Sequence, residues 1–294
     1  MSGDTIESQP AAQGADQFRL GMGNWAAFNL PLERIYTAAQ RWKAIAGGVA
    51  KPWLCWNVDD DWCLVQQRLV TAVGWTPLVG TDPRVAQPRL LPNSIFIDFN
   101  ADFRFPTMWM HFPLEFAFLF VGRLAFWHSD LLVRMEKMRH LADIFDGLAD
   151  GDVAATQMPF EFSKIFSKKN YRFWELVGCT TREASRSQFE QGTGWWYNFS
   201  NHPNCPSEAE RARRRKYYWD HGTGIMYWAK RCGGNVVPIA ADYVAEGHCT
   251  QIGNKQYVRV SPDNHTRFLA QDLRQNFELA KVCGSLGLEA LLSA

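Results

Sequence analysis

A histidine and an aspartate spaced by two residues close an apolar run in the segment RLAFWHSDLL, residues 123–132. The run before His128 predicts a buried strand, so His128, Ser129 and Asp130 stand where the chain leaves a sheet. Side chains spaced by two on an extended segment point to the same side, so this imidazole and this carboxylate can share one cation. A mixed nitrogen and oxygen pair suits Mn²⁺ or another first-row ion. A polar strand end that only satisfies backbone groups is the alternative that these three residues leave open.

Alternating strands and helices must position these residues. We predict strands at PWLCWNV (52–58), TPLVG (76–80), SIFIDFN (94–100), RLAFW (123–127) and DVAATQM (152–158). Helical patterns precede and separate them at residues 30–48, 59–75, 106–121 and 131–148. Such alternation at close spacing predicts βαβ units and an α/β protein with a mostly parallel, doubly wound sheet. In such a sheet, ligands bind beyond the carboxyl ends of the strands.

The pattern changes after residue 160. The segment RFWELVGCTTREASRSQFEQ (172–191) predicts one or two strands, and GTGWW (192–196) predicts a turn. A helical stretch broken near Gly222 leads to a last strand, NVVPI (235–239), then a loop-rich region and a terminal helix. We therefore divide the chain into a disordered tail (1–18), an N-terminal helical extension (19–50), a central α/β domain (51–260) and a C-terminal helical segment (261–294).

The composition argues against several classes of partner and location. With 31 basic and 30 acidic residues, the net charge of +1 gives no overall field that would favour nucleic acid. Seven cysteines without a CxxC pair argue against a disulfide framework and predict a reducing, cytoplasmic location. The first 18 residues lack the basic start and apolar core of a signal peptide. The longest apolar stretch, 107–127, is interrupted by polar residues, so we predict no transmembrane segment and leave peripheral membrane contact open.

The order of motifs resembles the central segment of GT-A glycosyltransferases, where a strand ends in an Asp-X-Asp motif that holds a divalent ion against a nucleotide-sugar. LAFWHSDLLV (124–133) is similar to that strand and motif, with His128 in place of the first acid. HLADIFDGLADGDVAAT (140–156) is similar to the helix and strand that follow, and FEQGTGWWYNF (189–199) to a glycine-containing stretch around the sugar pocket. YYWDHGTGIMYW (217–228) resembles the helix with a late acidic residue, and GHCT (247–250) the late histidine of the metal site.

The resemblance implies that residues 51–260 form a GT-A-like catalytic domain, which transfers a sugar from a nucleotide-sugar donor to a hydroxyl acceptor on a glycan. It implies Mn²⁺ or Mg²⁺ bound by His128, Asp130 and His248, with Ser129 beside the donor. By their positions, Asn57 and Asp59 would contact the base or ribose. The acceptor or sugar pocket would include Gly192, Gly194, Trp195, Trp196 and His221. Core packing is the alternative for the two tryptophans.

The chemistry also requires charged groups beyond the ion. Breaking a sugar–phosphate bond leaves negative charge on the diphosphate, which fixed cations or a divalent ion must stabilise. Arg104, after the third predicted strand, and Arg182 and Arg186, in TTREASRSQ, are candidate phosphate or acceptor contacts. An inverting reaction needs a carboxylate base, and Asp220 resembles that residue by position. Asp220 also precedes HGTGIMYWAK, so a helix N-cap is its alternative role.

Two other functions fit part of the same sequence. His128, Asp130 and His248, with Arg259 eleven residues later, mimic the two-histidine, one-carboxylate site and oxoacid-binding arginine of iron(II) and 2-oxoglutarate oxygenases. That family folds as a barrel of antiparallel strands, and the alternation of helices and strands argues against it. Because His128 replaces the first acid of the motif, a GT-A-like module that binds a glycan without catalysis is the other alternative.

Overall fold

Strands and helices alternate along the chain in the computed structural model, which describes residues 31–105, 108–158, 173–195, 222–249 and 279–293. The strands are β1 (Pro52–Asn57), β2 (Thr76–Thr81), β3 (Ile95–Phe96), β4 (Arg123–Trp127), β5 (Asp152–Gln157), β6 (Phe173–Thr181) and β7 (Asn235–Ala240). The helices are α1 (Leu32–Ala46), α2 (Asp60–Ala72), α3 (His111–Glu115), α4 (Met135–Asp146), α5 (Arg182–Glu190), α6 (Thr223–Arg231), α7 (Ala241–Val244) and α8 (Leu279–Leu286). Short 3₁₀ turns cover Ala117–Leu119, Ala245–Gly247 and Glu289–Leu291.

The described strands form one mixed, mostly parallel sheet in the order β3-β2-β1-β4-β6-β5-β7. Strand β1 pairs in parallel with β2 and β4, β2 pairs with β3, and β5 pairs with β7. Strand β6 runs antiparallel to both of its neighbours, β4 and β5. The prediction of an α/β protein with a mostly parallel sheet is confirmed. From β1, the chain adds β2 and β3 on one side and then returns to add β4 on the other side. The strand order therefore reverses between β1 and β4, and open α/β sheets form a binding crevice at such a point.

Helices cover both faces of the sheet. In β4, Leu124 and Phe126 belong to one apolar core, and Ala125 and Trp127 belong to the core on the other face. A strand buried on both faces is apolar throughout, which explains the continuous apolar run LAFW (124–127). Helix α1 is part of the first core, because its Trp42 is fully buried among aromatic rings of the segments that follow β3.

Three predicted elements differ from the structure. The third strand, predicted over residues 94–100, is the two-residue edge strand β3. The single helix predicted over residues 106–121 is instead the short helix α3 followed by a 3₁₀ turn. This segment is rich in aromatic residues of low helix propensity, and the packing of Phe112 and Phe120 against Trp42 determines its path.

The third difference lies in residues 172–191, which were predicted to form one or two strands. The chain turns from β6 into helix α5 after Thr181. In α5 the buried residues Ala184, Ser185, Gln188 and Phe189 follow a helical spacing, which explains the change.

Several predicted segments lie outside the described residues. They are the tail (1–18), the first part of the helical extension (19–30), and residues 250–278. Among the helices that are described, none combines the length and the apolar character needed to cross a bilayer. The six cysteines within the described ranges are free thiols.

Candidate metal centre

His128, Asp130 and His248 converge beyond the carboxyl end of β4. The Nε2 atom of His248 lies 3.3 Å from Oδ1 of Asp130, and Nδ1 of His128 lies 3.6 Å from the same oxygen. One ligand atom from each residue lies within 4.8 Å of the other two. The three side chains are 14–17% exposed, so they are shielded from bulk water but remain accessible.

The turn that carries His128 and Asp130 is anchored from two sides. The backbone N–H of His128 donates to the carbonyl of Leu176 on β6 at 2.9 Å, and that of Leu131 donates to the carbonyl of His128 at 3.2 Å. The fully buried Gln66 of helix α2 donates from Nε2 to the carbonyls of His128 and Leu131 at 2.8 and 2.9 Å. These hydrogen bonds hold the ligand-bearing turn against the sheet.

His248 reaches the site through a short antiparallel contact between two distant segments. An isolated β-bridge joins Leu131 to His248, and the N–H of Cys249 donates to the carbonyl of Asp130 at 2.8 Å. The N–H of Leu132 donates to the carbonyl of Gly247 at 3.1 Å. At Gly247 an added Cβ would lie 2.0 Å from the carbonyl oxygen of Leu132, so only glycine permits this approach.

A cluster of charges on helix α4 fixes the same segment. The Arg134 guanidinium forms a bidentate ion pair with the carboxylate of Glu246. Oε2 of Glu246 also lies 3.4 Å from Nζ of Lys137. Glu246 is two residues before His248, so this contact keeps the ligand-bearing backbone beside Asp130.

Glu175 is a residue of this site that the sequence analysis missed. It is fully buried, and its Oε1 lies 3.3 Å from Nε2 of His128 and 3.3 Å from Nε2 of the buried His111. Because β6 is antiparallel, its first residues lie at the edge where the parallel strands end. A carboxylate inside the apolar strand FWELVGCTT was the signal that could have revealed it.

The carboxylates change the acidity of the site. Burial disfavours a charged imidazole, but the interactions of His128 with Asp130 and Glu175 outweigh it and raise the pKa of His128 to about 9. Burial also works to raise the pKa of Asp130, but the contacts with His128 and His248 outweigh it and hold that pKa well below its usual range. Asp130 is therefore an ionised carboxylate, the form that binds cations.

An aromatic side chain borders the two imidazoles. The ring of Trp174 stands edge-on to those of His128 and His248, with centroids 5.7 and 5.3 Å away. The two imidazole centroids are 5.4 Å apart. This packing restricts the rotation of both rings and so favours one arrangement of the ligand atoms.

The ligand atoms fit one ion. Nitrogen and oxygen ligands bind zinc-sized ions at about 2.1 Å, so two of them stand about 3.0–3.4 Å apart at octahedral or tetrahedral angles. The contacts of Asp130 with His248 and His128, 3.3 and 3.6 Å, are close to these separations. The group could therefore hold a metal ion.

Four other predicted residues lie along the same edge of the sheet. Ser129 is in the ligand-bearing turn, and the buried Asn57 donates to the hydroxyl of Thr81 and to a carbonyl of the loop after β2. Asp59 is the N-cap of α2 and accepts from the N–H of Trp62. Arg104 lines an open cleft of about 640 Å³ at the carboxyl ends of β2 and β3.

Two predicted arginines are not brought to the site. Arg182 follows the carboxyl end of the antiparallel strand β6, which lies at the opposite edge of the sheet, and its Nε donates to the carbonyl of Val121. Arg186 is exposed on α5 and pairs with Glu183 and Glu190 of the same helix. The direction of β6 explains their distance from the metal centre.

The predicted sugar pocket is only partly described. Gly192 and Gly194 are buried, and Gly192 has a positive φ of 60°. Trp195 is 1% exposed and packs edge-on against Phe126, which makes it a core residue. Three further predicted site residues and the arginine of the oxygenase alternative lie outside the described residues: Trp196, Asp220, His221 and Arg259.

Comparisons with known proteins give no match: no family model fits the chain, and neither a curated protein nor a solved structure matches it.

Proposed function

We propose that the protein is a metal-dependent glycosyltransferase that moves a sugar from a nucleotide-sugar donor to a hydroxyl acceptor. The observation that carries the proposal is the group His128, Asp130 and His248 at the end of β4. This end adjoins the reversal of strand order between β1 and β4, where ligands bind in open α/β sheets.

The cleft beside Arg104 supports the same function. It opens at the ends of β2 and β3, and β1 stands between β2 and β4. Neighbouring strands are about 4.8 Å apart, so the cleft and the metal centre are separated by about 10 Å along this edge. A nucleoside in the cleft could extend its diphosphate to the ion, with the Arg104 guanidinium available to a phosphate.

The residues of the candidate metal centre have separate roles in the proposed reaction. His128, Asp130 and His248 would hold a divalent cation, Mn²⁺ or Mg²⁺ in the simplest case, which stabilises the negative charge left on the diphosphate. Gln66 keeps the ligand-bearing turn in place, and Trp174 packs against the imidazoles of His128 and His248. The base that accepts the proton of the acceptor hydroxyl remains the sequence prediction Asp220.

A second function is favoured by one specific observation. Two histidines and one carboxylate around a common point are also the ligand set of iron(II) oxygenases, which the sequence raised as an alternative. The mostly parallel sheet differs from the antiparallel barrel of that family. Anaerobic loading with Fe²⁺, followed by admission of O₂ and measurement of 2-oxoglutarate consumption, separates the two: a glycosyltransferase consumes none.

The proposal is tested by ligand-induced thermal stabilisation. UDP-, GDP-, CMP- and dTDP-sugars are compared with and without Mn²⁺, and we expect one nucleotide to raise the Tm only when the ion is present. Release of the nucleotide is then measured to detect hydrolysis or transfer of that donor's sugar. If no nucleotide changes the Tm under any condition, the glycosyltransferase proposal is wrong.

Variants of two aspartates distinguish an enzyme from a binding module. Asp130→Asn removes a charged ligand and should abolish turnover of the donor identified above. Asp143→Asn, at an exposed position of α4, is the matched control and should retain full activity. A protein that binds glycan with unchanged affinity after Asp130→Asn, and that never turns over a donor, would be a non-catalytic module.

A further inference from the structure

The two ring nitrogens of His128 face different carboxylates. Its Nδ1 lies 3.6 Å from Oδ1 of Asp130, on the side of the metal centre, and its Nε2 lies 3.3 Å from Oε1 of Glu175. A neutral imidazole offers one nitrogen to a metal and carries its proton on the other. This geometry assigns Nδ1 to the ion and the Nε2–H group to Glu175.

Glu175 is well placed to fix that arrangement. It is fully buried on β6, next to Leu176, whose carbonyl accepts the backbone N–H of His128. Its Oε1 also lies 3.3 Å from Nε2 of the buried His111, so two imidazoles flank the carboxylate. Burying a carboxylate is unfavourable unless it is paired, whereas an apolar residue would suit the interior of a strand. A glutamate at this position therefore points to a role at the site.

We propose that Glu175 is a positioning residue of the metal centre, which turns Nδ1 of His128 toward the ion and makes the imidazole a stronger ligand. A carboxylate behind a metal-bound histidine typically sets the tautomer and orientation of the ring. The inference rests on the proposed metal centre and extends it to the class of ion. Two imidazoles and one carboxylate suit a first-row transition ion, whereas Mg²⁺ prefers oxygen ligands.

The test measures metal binding in the absence of any substrate. The full chain is stripped with EDTA and titrated with Co²⁺, Mn²⁺ and Mg²⁺ by calorimetry, and the visible absorption of the Co²⁺ form reports ligand geometry. We expect Co²⁺ to bind at least about 100-fold more tightly than Mg²⁺. Glu175→Gln should weaken Co²⁺ binding by about 10- to 100-fold and shift the visible bands.

Glu115→Gln is the matched control. Glu115 is also a buried glutamate, and its carboxylate accepts the N–H of Trp195 instead of contacting His128. We expect this variant to lose stability in EDTA but to bind Co²⁺ with wild-type affinity and spectrum. Thermal unfolding in EDTA shows whether each variant is folded before it is titrated.

A second measurement needs no variant. In the Zn²⁺-loaded wild-type protein, long-range ¹H–¹⁵N NMR identifies which nitrogen of each histidine carries a proton. We expect the proton of His128 on Nε2 and that of His248 on Nδ1. Coordination of His128 through Nε2 would overturn the proposal even if Glu175→Gln failed to fold.

The outcomes separate this inference from the proposed function. If Glu175→Gln binds Co²⁺ as tightly as wild type, the positioning role is wrong and the metal centre stands. If Mg²⁺ binds as tightly as Co²⁺, the inferred class of ion is wrong. If wild type binds none of the ions, the metal centre, the proposed function and this inference all fail together.

Discussion

The Nε2 atom of Gln66 lies 2.8 Å from the carbonyl oxygen of His128, which ties helix α2 to the turn that carries two of the three candidate metal ligands. The same nitrogen lies 2.9 Å from the carbonyl oxygen of Leu131. Gln66→Met keeps the volume but leaves both carbonyls without this donor. We expect the free energy of unfolding to fall by about 2 kcal/mol, since each buried group that loses its hydrogen bond costs about 1–3 kcal/mol. We also expect Co²⁺ affinity to fall about tenfold, as for other residues that orient metal ligands.

The adjacent residue supplies a close control. Gln67 is equally buried, but it hydrogen-bonds to Arg89, Leu91 and Ser94 in the loop before β3. Gln67→Met should therefore lower stability in urea titrations by a similar amount and leave Co²⁺ affinity unchanged. Equal losses of metal affinity in both variants would show that Gln66 acts on the centre only through global stability.

Gly247 provides a second prediction, because its Cα faces the backbone of Leu132. In Gly247→Ala the new methyl group would lie 2.0 Å from the carbonyl oxygen of Leu132, and backbone yields less easily than a flexible side chain. The segment that carries His248 must then move away from Asp130. We expect a loss of stability of about 2 kcal/mol and at least a tenfold loss of Co²⁺ affinity.

A glycine without such a contact tests whether the effect is specific. In helix α8, an added Cβ at Gly284 would meet its nearest atom, Oε1 of Glu289, at an ordinary 3.7 Å. Gly284→Ala should raise the free energy of unfolding by up to about 1 kcal/mol, since alanine favours a helix. Wild-type metal affinity in Gly247→Ala would mean that the bridge to His248 tolerates displacement.

The metal-free protein should lose stability in alkaline solution. The pKa of His128 rises from 6.5 to about 9 in the fold, where Asp130, Glu175 and His248 face its ring. When folding raises the pKa of a group, that group stabilises the folded state. Its contribution is complete below the pKa of the unfolded state and is lost as the pH rises through the pKa of the folded state. In EDTA we therefore expect the Tm to fall between about pH 6.5 and about pH 9.

His128→Gln removes the titrating group and should flatten the curve in this pH range. Differential scanning calorimetry of both proteins in EDTA gives the comparison. An equal slope for wild type and His128→Gln would assign the pH dependence to other groups.

The sequence carried more information about the candidate metal ligands than about the residues that surround them. His128 and Asp130 follow a buried strand and are spaced by two residues, so their proximity at the end of that strand could be expected. His248 was grouped with them only by the resemblance to GT-A glycosyltransferases. The missing information was the direction of β6. Because that strand is antiparallel, it carries Glu175 into the site and takes Arg182 to the opposite edge.

The burial of individual side chains was equally difficult to predict from the sequence. Trp195 stands in a predicted glycine-containing turn, where stacking on a sugar and packing in the core were both open, and it is 1% exposed and packs on Phe126. Which tryptophan is buried depends on the contacts of α5 and α6 with the sheet, and these join residues far apart in the chain. Local spacing carries no signal for such contacts.

Arg104 gives a prediction in which stability and binding change in opposite directions. Its φ of 56° lies in the left-handed region, and the side chain of Asn100 holds the turn by hydrogen bonds with both backbone groups of Phe105. A left-handed conformation costs an ordinary residue about 1–2 kcal/mol, and asparagine adopts it more readily. Arg104→Asn should therefore keep or raise the free energy of unfolding by up to about 1 kcal/mol.

The same substitution removes a cation from the cleft at the ends of β2 and β3. A hydrogen bond to a charged group is worth about 1.5–3 kcal/mol, so calorimetry should show at least a tenfold loss of affinity for the nucleotide selected in the thermal-shift panel. Arg139→Asn, on the exposed face of α4 and outside the lining of the cleft, is the charge-matched control and should bind normally. We attribute the strained backbone of Arg104 to a role in binding the donor, because strained conformations are concentrated at functional sites. Unchanged nucleotide affinity in Arg104→Asn would remove that explanation and the cleft from the proposed donor site.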